Sequence, residues 1–66
     1  MDLLQKVQIG QTKVGQKVKF LNKKAWWSVV KRDSNKNETI IKRGSSYWHL
    51  SNECTVLQNL FENINS

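Results

Sequence analysis

Few side chains in this sequence could make or break a covalent bond. His49 is its one histidine and Cys54 its one cysteine, two soft donors against the four that a structural zinc site requires. As a nucleophile and its base, the same pair lacks an orienting third group. The two Asp and three Glu are scattered without a His-Asp-Ser arrangement, and no glycine-rich loop of the Walker or dinucleotide type occurs. Cys54 therefore reads as a small buried hydrophobe, and no enzymatic activity, metal or cofactor is expected.

What remains is recognition chemistry. The stretch Ala25 to Arg32, Ala-Trp-Trp-Ser-Val-Val-Lys-Arg, interleaves aromatic, apolar and cationic residues. As a β-strand it would place Trp27, Val29 and Lys31 on one face and Trp26, Ser28, Val30 and Arg32 on the other. The pair Tyr47-Trp48 must split between faces in the same way, so one ring of each pair points away from the core unless something covers it. An exposed ring beside cations suits single-stranded nucleic acid: bases stack on the ring, for roughly 1–3 kcal/mol each, while phosphates meet the charge. The candidate nucleic-acid-binding residues are Lys17, Lys19, Trp26, Trp27, Lys31, Arg32, Lys42, Arg43 and Trp48. A sheet that buries every tryptophan would have the same local sequence.

Charge supports that direction. The chain carries 11 Lys and Arg against 5 Asp and Glu, a formal +6 over 66 residues. Ten of the basic residues and two of the acidic ones lie between Lys13 and Arg43, a local +8. From Gly44 onward the balance is −2, from Glu53 and Glu62. This asymmetry fits a polyanion-binding face with a neutral or acidic element behind it. The bland alternative is a solvated surface that keeps a small protein soluble.

A chain of this length makes one domain, residues 1–66, with too little surface buried to be robust on its own. One cysteine cannot form an intrachain disulfide, which points to a reducing cytoplasm or nucleus. No apolar run approaches the roughly 18 to 20 residues of a spanning helix, and Met-Asp-Leu-Leu-Gln lacks the basic head of a signal peptide, so no membrane is expected. A homodimer is the remaining way to enlarge the core.

The elements that must position these residues read as strands followed by one helix. Lys6 to Gly10 alternates with Val7 and Ile9 inward. Thr12 to Leu21 places Val14, Val18 and Phe20 against Lys13, Lys17 and Lys19, with Gly15 interrupting as a bulge or turn. Asn22-Lys23-Lys24 is a turn candidate, and Asp33-Ser34-Asn35-Lys36-Asn37 is a loop. Glu38 to Arg43 and Tyr47 to Leu50 are strands, broken by Gly44-Ser45-Ser46. From Ser51 the period changes: Leu57, Leu60, Phe61 and Ile64 fall at i, i+3, i+4 and i+7, one apolar face of an amphipathic helix and the expected dimer interface. The fold class so read is α+β, a small antiparallel sheet of about four strands followed by a C-terminal helix. The alternative is a final strand Cys54-Thr55-Val56-Leu57 that closes an all-β small five-stranded barrel.

The Val7-Gln8-Ile9-Gly10 opening, the Lys42-Arg43-Gly44 break and the Tyr47-Trp48-His49-Leu50-Ser51-Asn52-Glu53 run together resemble the single-stranded DNA-binding domain of the transcriptional coactivator positive cofactor four, over Lys6 to Ile64. The resemblance implies a curved four-stranded antiparallel sheet, a C-terminal helix that pairs in a homodimer, and single-stranded DNA over the concave sheet face. By position it implies ligand contact at Lys17, Lys19, Trp26 or Trp27, Lys31 and Arg43. The function so read is sequence-tolerant binding of single-stranded DNA in transcription, replication or recombination. Two other readings share the same charge and rings. One is a small barrel that binds duplex DNA or RNA; the other is a small phage- or plasmid-type inhibitor or adaptor that engages an acidic surface of a host protein.

Overall fold

Alternation of apolar and polar residues builds strands throughout the computed structural model, which describes residues 4–59. They are β1 (Leu4–Gln8), β2 (Lys17–Lys19), β3 (Trp27–Asp33), β4 (Glu38–Arg43), β5 (Ser46–Ser51) and β6 (Thr55–Asn59), with a 3-10 turn, Ile9–Gln11, after β1. All neighbours pair antiparallel in one sheet of order β1-β6-β2-β3-β4-β5. Asp33 Oδ1 accepts from the backbone N–H groups of Asn35 (3.1 Å) and Lys36 (3.2 Å), so the β3–β4 loop is turned by its own first side chain. The β4–β5 turn needs only Gly44 and Ser45, with Gly44 at φ 62°, a left-handed conformation that glycine adopts without steric cost.

The connection from β5 to β6 dictates the overall form. The two strands are four places apart in the sheet order, about 19 Å if the sheet were flat. Only Asn52, Glu53 and Cys54 join them, and the chain from Ser51 to Thr55 reaches at most about 14 Å. The sheet must therefore coil. The 3-10 turn is stitched into the seam: the Ile9 N–H donates to the Cys54 carbonyl (2.8 Å) and the Gly10 N–H to the Asn52 carbonyl (2.9 Å). A Cβ on Gly10 would stand 2.6 Å from the Cβ of Asn52, so this close approach requires glycine.

Coiling gathers one apolar residue from each of several elements. Ile9, Val18, Val29, Ile41 and Val56 are fully buried, and Val7, Phe20, Trp27, Leu50 and Cys54 pack around them. Ile9, Val7 and Val18 face inward as their alternation predicts, and Cys54 lies against the core. Val14 does not: it is exposed, because the strand expected from Thr12 shrinks to Lys17–Lys19 and Val14 falls in the turn before it. No helix among the described residues is long and apolar enough to cross a membrane.

The expected α+β class is wrong, and the all-β alternative fits, with six strands rather than five. Ser51 ends β5, Asn52 and Glu53 form a turn, and Thr55–Asn59 is β6. Residues 55–59 find backbone partners on both sides, with Val7 opposite Val56 and Lys19 opposite Leu57. That pairing, together with full burial of Val56, outweighs the helical spacing. It also suits Thr55 and Val56, whose β-branched side chains disfavour a helix. Leu57 therefore belongs to a strand and not to a helical dimer face. Leu60, Phe61 and Ile64, the other expected interface residues, lie outside the described residues. The four-stranded sheet and the entry into a helix at Ser51 that positive cofactor four implied are likewise not found over residues 4–59.

One chain of hydrogen bonds crosses the seam from a cation to an anion. Arg32 Nη2 donates to the Ile9 carbonyl (2.9 Å) and to Thr12 Oγ1 (3.2 Å), and its Nε donates to Thr39 Oγ1 (3.0 Å). The buried Thr39 hydroxyl donates to Asn52 Oδ1 (2.7 Å), the Asn52 amide to Asn37 Oδ1 (2.9 Å), and the Asn37 amide to both Glu53 carboxylate oxygens (2.8 and 2.9 Å). Every donor points the same way, so each bond polarises the next. The Ser51 hydroxyl, then the Asn37 amide, then its own backbone N–H hold the Glu53 carboxyl below its ordinary range.

A carboxyl whose folded pKa is depressed contributes stability that is complete above its unfolded value and lost as pH falls through the folded one. Wild-type protein should therefore lose stability as pH falls through and below the ordinary carboxylate range. Glu53→Gln should lose less over that interval, as measured by urea denaturation at each pH. Parallel pH profiles for the two proteins would remove Glu53 from the seam.

Candidate nucleic-acid interface

A strand of strict alternation would carry Lys31 on the core face of Trp27 and Val29. The structure reverses this. Val29 pairs with Ile41 but Lys31 pairs with Ile40, so Val30 is an extra residue, a β-bulge that flips every later side chain. Trp27 and Val29 stay inside and Ser28 outside, after which Lys31 turns out and Arg32 turns in.

Residues paired across adjacent strands share a face. The outer face then carries the row Lys17, Ser28, Lys42, Tyr47 across β2 to β5, a second row Lys31, Ile40, His49, and a third row Asp33, Glu38, Ser51. On the other half of the sheet Lys6, Leu57 and Lys19 line up. The cations sit on aromatic faces: Lys19 Nζ is 5.3 Å from the Trp26 ring centroid, and Lys42 Nζ is 5.4 Å from that of Tyr47. At an exposed site each such contact contributes about 0.5–1 kcal/mol, enough to bias where ammonium and ring sit.

The charge is also graded along the strands. Asp33 and Glu38 face each other beside the β3–β4 loop, Glu38 lies 3.5 Å from His49 Nδ1, and Glu53 is bonded to Asn37 and Ser51. All the acidic side chains among the described residues thus gather at one end of β3, β4 and β5. Lys17, Lys42 and Arg43 stand at the other, with Lys19, Trp26 and Tyr47.

The expected residues therefore divide. Lys17, Lys19, Trp26, Lys31 and Lys42 share the outer face. Arg32 does not: its guanidinium is engaged by Ile9, Thr12 and Thr39, which makes it part of the fold. Trp27 faces inward and packs on the core. Trp48 pairs with the buried Ile41, and so has the inner orientation, yet it remains 54% exposed. Arg43, paired with Ser46, extends the same inner face to the hairpin end. Trp48 stays exposed on the edge strand β5, whereas Leu50, two residues on, packs against the core. Tyr47 and Lys6 were missed as outer-face residues; the signal for Tyr47 was its adjacency to Trp48, which obliges the two to face opposite ways. No group of three His, Cys, Asp or Glu that could hold a metal occurs among the described residues.

Comparison of the chain with protein-family models, curated proteins and solved structures gives no match.

The bulge makes neighbouring cations unequal. Arg32→Ala should cost roughly 1–3 kcal/mol in urea denaturation, since it strands the partners of a charged donor. Lys31→Ala should stay within about 0.5 kcal/mol of wild type, as for an ordinary surface site. Equal effects would contradict the bulge assignment.

Proposed function

We propose that this protein binds nucleic acid with little sequence preference and that a single strand is its preferred ligand. The observation that carries the reading is the outer face itself. Lys17, Lys42 and Tyr47 occupy one row, Lys19 with Trp26 stands beside it, and the described carboxylates are drawn to the far end. Ammonium groups neutralise phosphates and release their counterions whatever the sequence. Rings accept any base, because every base has a π-face. Neither interaction reads base edges, so discrimination among sequences should be weak.

A second reading, binding of duplex DNA or RNA by the same lysines, is favoured by the coiled all-β sheet, in which residues 51–59 do not form the helix that accompanied the single-strand expectation. The two readings separate on the rings, since paired bases remain stacked on one another and cannot stack on Trp26 or Tyr47. Fluorescence anisotropy of a labelled oligothymidine against a duplex of equal length, over a range of KCl, should give tighter binding of the single strand. Equal or tighter duplex binding would favour the second reading, and no binding of either at low salt would end both. Replacing Lys17 and Lys19 together by Ala should reduce the slope of log affinity against log salt by about 1.4, taking about 0.7 per phosphate contact on a single strand. An unchanged slope would remove β2 from the interface.

A further inference from the structure

A second aromatic surface lies on the opposite side of β5 from Tyr47. Trp48 and Trp27 each meet the Phe20 ring edge-on, with centroids 6.1 Å apart in both cases and interplanar angles of 72° and 75°. Trp27 anchors this trio to the core. At its outer end Trp48 is 54% exposed and Leu21, which follows Phe20, is 50% exposed. An indole held edge-on by a neighbour that is itself fixed to a core is a rigid platform, and a flat apolar ring in water gains by covering its face.

The surroundings say what would cover it. Arg43 extends the inner face of β4 beyond Ile41, the partner of Trp48. Lys23 and Lys24 lie in the exposed loop after Phe20, whose carbonyl accepts from the Lys23 N–H (3.3 Å). Among the described residues the carboxylates are at the opposite end of β3, β4 and β5. A flat ring with Arg43 on its own face, and with no carboxylate among the described residues at that end, complements a flat group attached to a phosphate. A cationic ligand would be repelled.

We infer that Trp48, backed by Phe20 and flanked by Arg43, is a base-stacking subsite for an unpaired nucleobase, separate from the lysine-lined outer face. The inference rests on the nucleic-acid reading above and adds to it a path. Because Tyr47 and Trp48 project from opposite faces of the edge strand, a single strand engaged on the outer lysines reaches Trp48 by rounding the β5 edge or the β4–β5 turn. A duplex, stiff and internally stacked, does not make that turn.

The test is a cycle between protein and ligand. Labelled oligothymidine and an abasic oligomer of the same length carry equal numbers of phosphates and differ only in their bases. Trp48→Ala should weaken binding of oligothymidine about five- to 150-fold, the range of one stacked base, with the salt slope unchanged. Trp48→Phe should restore most of the affinity. The abasic oligomer should bind wild type and Trp48→Ala alike, and far-UV circular dichroism should show both variants folded as wild type. If wild type binds oligothymidine and Trp48→Ala binds it within twofold, the subsite is refuted while the outer-face reading stands. If the loss is as large for the abasic oligomer, the indole acts through the fold and not by stacking on a base, which also refutes it. Wild type that binds no oligonucleotide overturns both.

Discussion

A guanidinium turned into the seam of a coiled sheet is the contact on which the rest depends. Arg32 reaches from β3 to the carbonyl of Ile9, at the start of the 3-10 turn, and to hydroxyls on Thr12 and on Thr39 of β4. A charge there is tolerable because its donors meet three acceptors, and because the bonds run on through Thr39, Asn52 and Asn37 to Glu53. That chain joins the 3-10 turn after β1, β3, the β3–β4 loop, β4 and the β5–β6 connection, the segments that a sheet of this size must bring together in order to coil. The apolar core alone is slight: five fully buried side chains among the described residues, all aliphatic. Polar closure supplies what so small a core lacks.

The same bulge that admits Arg32 releases Lys31. One added residue at Val30 reverses the facing of the rest of β3, so a single local irregularity both closes the seam and places another cation outside. The outer face gains charge from the residue that strict alternation would have buried. The described carboxylates collect around the β3–β4 loop and the β5–β6 turn, where Asn37 and Ser51 hold Glu53. The result is a face whose positive end is also its aromatic end.

Edge position explains the tryptophans better than hydrophobicity does. Trp27 and Trp48 have the same inward orientation by register, but Trp27 sits on a central strand against the core and Trp48 on an edge strand with no further strand beside it. Two indoles of equal apolarity therefore meet different fates, one as support and the other as surface.

By itself the sequence determined what depends on near neighbours. Alternation marked Val7, Ile9 and Val18 as inward; Asp33 to Asn37 and the break at Gly44-Ser45-Ser46, of which Ser46 proves to open β5, were legible as turns, because their backbone conformations are set by their own side chains or by the lack of one. The excess of positive charge in the middle of the chain, and the separation of Tyr47 from Trp48, were legible for the same reason. Tertiary structure decided the rest. Residues 55–59 became a strand because β1 and β2 offer hydrogen-bond partners on both flanks, an offer made by residues some forty to fifty positions away, against which a helical spacing of apolar residues has no local defence. Arg32 rather than Lys31 went inside because the Val30 bulge changed the parity of β3, and only the acceptors assembled by coiling, on Ile9, Thr12 and Thr39, could repay the cost of placing a charge there.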